Sequence, residues 1–284
     1  ETTLESEYRS DIFGERGILL GAVHGIAESL YARYVGNGMA KDDAYLNTSE
    51  SITGPISKTI SRSGLKAVYE QLDDKEKAAF RKAFNAAYHP SREILEEIYD
   101  DVASGNEVRS VIQATRRHGT YPMGKIDSTD MWVVGEKVRA NAQRNYAPIN
   151  PETAGVYMAC MMAQVDLLKD RGHPYSEIAN ESIIEAVDSL NPYMDYKGVS
   201  YARKFPDNKR TYERASPFGY LEVYSSSYLH FAPGQSDNAA FNLPTMPANA
   251  YLGLYMDSEG PSGIIKDLPA NETAYFKYLS MYYP

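Results

Sequence analysis

Apolar residues recur every three or four positions through most of the first 200 residues, the period of an amphipathic helix, and the pattern then fades. One long helix is predicted over Asp11–Val35, with Ser10 as its N-cap and Gly36-Asn37-Gly38 ending it. A second pattern runs over Asp42–Ile60, where Gly54-Pro55 should bend or break it. Helices follow at Lys66–Leu72, Asp74–Tyr88, Ser91–Ala103 and Asn106–Arg117, with Pro90 separating two of them. Gly119–Gly135 reads as loop. Thr153–Lys169 is an apolar helix whose methionines read as core packing. Ser176–Leu190 is another helix, capped by Ser176 and stopped by Asn191-Pro192. Beyond about Tyr201 only Thr273–Met281 looks helical.

That late region is rich in Tyr, Pro, Ser, Asn and Gly, and it holds many of the chain's 24 tyrosines. Its aromatics argue against ordinary disorder, so 201–284 is expected to be an irregular arm packed on its own domain or on a partner. The chain as a whole is 43% hydrophobic and 24% charged, the balance of a globular protein. A net charge of -9 argues against binding a phosphate backbone. No run of apolar residues is long enough for a transmembrane helix. Cys160, the single cysteine, excludes an internal disulfide and a cysteine-built zinc or iron–sulfur site, and it fits a reducing compartment. Lying in an apolar run, it reads as a buried inert thiol.

Candidate chemistry comes from carboxylates spaced four apart. Asp11 and Glu15 share a face of the first helix; Glu181 and Glu185 share a face of the Ser176 helix, with Glu177 one turn earlier. Such pairs are common on solvated faces, but buried they demand a cation, and an all-oxygen set suits Mg²⁺. Gly14, Gly17, Gly21 and Gly25 recur along the first helix, which suggests that another backbone approaches closely beside Asp11 and Glu15. His24, in the same helix, reads as a hydrogen-bonded packing residue.

Several stretches together resemble one family. Ser10-Asp11-Ile12-Phe13-Gly14-Glu15-Arg16-Gly17, Ile56-Ser57-Lys58-Thr59-Ile60-Ser61, Pro122-Met123-Gly124-Lys125-Ile126-Asp127 and Asn180-Glu181-Ser182-Ile183-Ile184-Glu185-Ala186-Val187-Asp188 look like the C-terminal half of plant-type ketol-acid reductoisomerases. The resemblance covers about residues 1–200 and implies an all-α, knotted helical domain, followed here by the divergent arm. It implies two Mg²⁺ ions that polarise a 2-acetohydroxy acid for alkyl migration and reduction by NADPH, in branched-chain amino-acid synthesis. By motif match, Asp11 would bridge both ions, Glu15 would bind one, and Glu181 and Glu185 would complete the site, partly across a subunit interface or through water. It also implies an organelle, plastid or mitochondrion.

Three departures shape the functional expectation. The chain begins at the family's domain junction and has no G-x-G-x-x-G motif, so NADPH is not expected to bind it. Asp207-Asn208-Lys209-Arg210-Thr211 stands where the family has a loop with a substrate-contacting serine. The tail beyond about Phe218 shows no family likeness. No catalytic residue is therefore assigned. The first expectation is a non-reducing structural or scaffold subunit that contacts other subunits through 201–284, possibly as a homodimer. The alternative is the Mg²⁺-binding half of a working reductoisomerase whose NADPH domain lies elsewhere.

Overall fold

A computed structural model of the protein describes residues 2–118, 120, 128–141 and 148–197, and the backbone of 251–257 and 260–266. All the regular secondary structure in the described part of 2–197 is helical, in keeping with the expected fold class. Asp207–Thr211, the Pro122–Asp127 motif and the helix expected at Thr273–Met281 lie outside the described residues.

The chain enters through α1 (Leu4–Gly14), which starts earlier than the sequence suggested: Thr3, not Ser10, is its N-cap and accepts from the Ser6 amide. Ser10 donates its hydroxyl to the Ser6 and Glu7 carbonyls, as serine does inside a helix. The expected single helix is broken. A widened π-turn, π1 (Glu15–Leu19), holds Gly17 at φ -83°, ψ -130°, and only then does α2 (Gly21–Gly36) begin. Gly38, at φ 93°, follows α2's end as expected.

The second predicted helix divides into α3 (Lys41–Asn47), α4 (Ser49–Ser51), π2 (Ile52–Ile56) and α5 (Ser57–Ser63). Pro55 lies within π2, where its missing N–H falls at a change of hydrogen-bond register. After α6 (Leu65–Glu70), Asp73 and Glu76 form a reciprocal capping box for α7 (Asp74–Ala103). Pro90 does not end this helix. Both sides of the proline are tied to α10 (Pro151–Asp170): Tyr88 donates to Asp166 at 2.6 Å, and Arg92 pairs with Asp170 at 2.8 Å. Packing thus overrides the lost backbone bond.

α8 (Asn106–His118) follows, and Asp130–Gly135, expected as loop, belongs to α9 (Asp130–Ala140), whose Thr129 cap accepts from the Trp132 amide. α10 is the central element: Tyr157, Met161, Val165 and Leu167 are fully buried, and Cys160 is buried among them as expected. Next come α11 (Tyr175–Ala179), a long π-helix π3 (Asn180–Leu190) and α12 (Asn191–Lys197). Asn191-Pro192 does not stop the helix: Asn191 keeps helical φ and ψ and its amide bonds to the Ala186 carbonyl, so π3 runs directly into α12, with Pro192 at the change of hydrogen-bond register. Ser176 is not a cap; Pro174 holds that position.

In the arm, β1 (Tyr251–Asp257) pairs antiparallel with β2 (Gly260–Lys266), placing Leu254 opposite Ile264. This part is a hairpin where no strand was foreseen; the polar Ser258-Glu259 lies between two apolar runs. No helix of the described residues is long and apolar enough to cross a membrane.

Candidate metal centre

α1 and π3 meet almost backbone to backbone. A Cβ added to Gly14 would lie 2.7 Å from the Glu181 carbonyl oxygen, so only glycine admits this approach. The approach brings Asp11 of α1 to Glu181 and Glu185 of π3, with carboxylate oxygens all within 4.8 Å of one another. The three residues are 4%, 2% and 3% exposed. Glu15 is also buried, on the π-turn one turn after Asp11, and lies outside that closest group of three. Asp11, Glu181 and Glu185 come together within one chain.

Three carboxylates this close in a low-dielectric setting repel strongly when ionised. A hard cation offsets that repulsion, and an all-oxygen, buried donor set fits Mg²⁺ or a similar divalent ion. The set lacks nitrogen and sulfur donors, so it does not suit a soft metal.

The glycine series behaves unevenly. At Gly17 a Cβ would meet Gln164 Oε1 at 2.0 Å, and at Gly21 it would meet the Arg16 carbonyl oxygen at 2.3 Å. Gly25 has open space. Thus Gly14 serves the approach of a second backbone, whereas Gly17 and Gly21 serve the kink.

Gln164 was missed as more than core. Fully buried on α10, it accepts from the Ile18 amide at 2.9 Å and donates to the Glu181 carbonyl at 2.8 Å. One side chain therefore ties the kink after Glu15 to the start of the glutamate helix. A lone amide in the apolar run Met161–Leu168 was the signal available in the sequence. Asn180 adds a second orienting contact, donating to Glu181 Oε1 at 2.8 Å. Beside the site, Arg16 pairs with the buried Glu107 of α8.

Glu177 is committed elsewhere. His173 Nδ1 donates to it at 2.7 Å and Ser6 at 2.9 Å, Thr2 donates to its other oxygen, and Tyr99 closes the network on His173 Nε2 at 2.8 Å. Burial alone would raise its pKa, but the hydrogen bonds from His173, Thr2 and Ser6 outweigh burial and hold it below the usual carboxylate value. His24 packs as expected, with Nδ1 2.7 Å from the Leu20 carbonyl.

Residues 4–144 match the family described as "Ketol-acid reductoisomerase, C-terminal domain". Over 207 residues the chain is 59% identical to "Ketol-acid reductoisomerase, chloroplastic" of Pisum sativum, covering 70% of this chain and 36% of the relative. It is 58% identical to the chloroplastic protein of Spinacia oleracea, covering 70% and 35%. "Ketol-acid reductoisomerase, mitochondrial" of Saccharomyces cerevisiae is 24% identical over 144 residues, covering 49% and 36%. The chain spans about a third of the length of these curated relatives.

Proposed function

We propose that the chain, whose residues 4–144 match the C-terminal domain of the ketol-acid reductoisomerase family, is the divalent-metal-binding half of a working enzyme of this kind, acting in branched-chain amino-acid biosynthesis. The observation that carries this reading is the convergence of Asp11, Glu181 and Glu185 in one buried cluster. Asp11, Glu181 and Glu185 would hold a divalent ion there. Glu15 supplies a further carboxylate from the kinked turn. Magnesium held there would act as a Lewis acid on substrate oxygens. Gln164 and Asn180 keep Glu181 in position, and the packed core around α10 excludes water from one side of the cluster. NADPH belongs to the other half of such an enzyme. Because relatives carry chloroplastic and mitochondrial names, we place the chain in an organelle.

The structural-subunit role suggested by the altered loop and tail rests almost wholly on residues outside the described set, and no observation favours it over the catalytic half. The decisive experiment supplies a nucleotide-binding domain to the full chain and follows NADPH oxidation with 2-acetolactate and Mg²⁺. Turnover that disappears in Glu15→Gln supports the proposal. Absence of turnover, together with Mg²⁺ binding that Glu181→Gln leaves unchanged, overturns it.

A further inference from the structure

Two polar atoms away from the carboxylates are sealed from solvent without a hydrogen-bond partner among the described residues: His24 Nε2 and Trp132 Nε1. They belong to α2 and α9, elements far apart in sequence, and their rings face each other with centroids 5.7 Å apart. Both side chains line one small cavity, together with Ile52, Thr53 and Met194. Its volume is about 10 Å³, the room that one water-sized oxygen occupies.

The chemistry of the two atoms restricts what fills the cavity. Leu20 stands at the end of the kink, with φ -135° and ψ -57°, and its carbonyl takes the His24 Nδ1 hydrogen at 2.7 Å. That bond places the ring's hydrogen on Nδ1 and leaves Nε2 as a bare acceptor. Burial lowers the pKa of His24 and outweighs the backbone hydrogen bond that raises it, which keeps the ring neutral. Trp132 Nε1–H is a donor only. The missing group must therefore give one hydrogen bond and receive another. A carbonyl would satisfy only the tryptophan and an ammonium only the histidine; a hydroxyl oxygen satisfies both. Two hydroxyls lie in the cavity wall, and both are committed: Thr53 donates to the Ser49 carbonyl at 3.0 Å, and the Ser49 hydroxyl donates to the Tyr45 phenol oxygen.

We propose that this cavity binds one hydroxyl oxygen, which donates to His24 Nε2 and accepts from Trp132 Nε1–H, supplied by a water or by the head of a small alcohol. Such an oxygen joins α9 to the segment immediately after the kink that carries Glu15.

The test uses the full chain labelled with ¹⁵N, in which the single tryptophan gives one indole N–H signal. The expected result is an exchange-protected indole proton with cross-relaxation to a bound water. If 1,2-propanediol then shifts that signal saturably, the alcohol is the occupant; if the water contact persists through the titration, water is. Either result supports the site. An indole proton with neither a water contact nor a saturable response overturns it. So does a crystal structure in which protein groups satisfy both nitrogens. In His24→Phe, which removes the acceptor, the water contact or diol response should be lost; a response unchanged in a folded variant also overturns the proposal.

Discussion

The α-carbon of Gly14 faces the carbonyl oxygen of Glu181 so closely that a methyl group between them would lie 2.7 Å from that oxygen. This contact sets the separation of α1 from π3, and with it the spacing of Asp11 from Glu181 and Glu185.

Gly14→Ala should therefore push the two elements apart. We expect a loss of about 1–3 kcal/mol in stability, the usual penalty of overpacking, and a weakened affinity for Mn²⁺ used as a spectroscopic stand-in for Mg²⁺. Gly25→Ala, where the added methyl meets nothing within 4 Å, should be neutral or stabilising by up to about 1 kcal/mol. Thermal unfolding and Mn²⁺ titration of both variants check this contrast.

Gln164→Leu keeps much of the buried volume but removes the partners of the Ile18 amide and the Glu181 carbonyl. Each buried group left without its bond costs about 1–3 kcal/mol. The variant should lower the melting temperature and also reduce metal affinity. A melting-temperature loss with unchanged affinity would mean that Gln164 supports the core but does not position Glu181.

Glu181→Gln removes one of three close buried carboxylates. Without metal, the variant should be at least as stable as the parent, because like-charge repulsion falls. With Mg²⁺ at a hundred times the parent's Kd, the parent gains about 2.7 kcal/mol and the variant much less. Unfolding curves with and without Mg²⁺ separate the two effects.

The Glu177 network predicts an acid-side loss of stability. Its folded pKa lies below the ordinary carboxylate value of 4.5, so its contribution is fully present above that value and disappears as pH falls through the depressed one. Glu177→Gln should destabilise the protein by about 1.5–3 kcal/mol at neutral pH, and the gap from the parent should narrow progressively below about pH 4.5. Urea unfolding across that range measures it.

Burial pushes the Cys160 thiol up to about 11, against a weaker opposing hydrogen bond from Ser91. The thiolate is the reactive form, so maleimide should label the folded protein negligibly and the urea-unfolded protein fully, as read by intact mass.

Much of the site was legible before any coordinates. Carboxylates four apart on two helices, and a run of glycines beside one pair, are local patterns, and helical periodicity turns them directly into shared faces. Cys160 and the methionines of α10 were readable as core for the same reason. What failed were the interruptions. Pro90 and Pro192 carry strong local stop signals, yet α7 continues because Tyr88 and Arg92 hold it to α10, and Pro192 falls where π3 passes into α12 at a change of hydrogen-bond register. Conversely, no local signal marked the kink at Gly17.

The amino-acid sequence by itself determined the helical class and the positions of most helices, because these follow from periodicity and side-chain chemistry, and it offered four acidic residues as candidates through their spacing and the family resemblance. Only the tertiary structure decided which of those acids meet. Asp11 and Glu181 are separated by most of the described chain, and their encounter depends on a glycine-sized gap, a π-turn and one buried glutamine. Contacts of that kind are paid for by packing across distant elements, which no window of sequence contains.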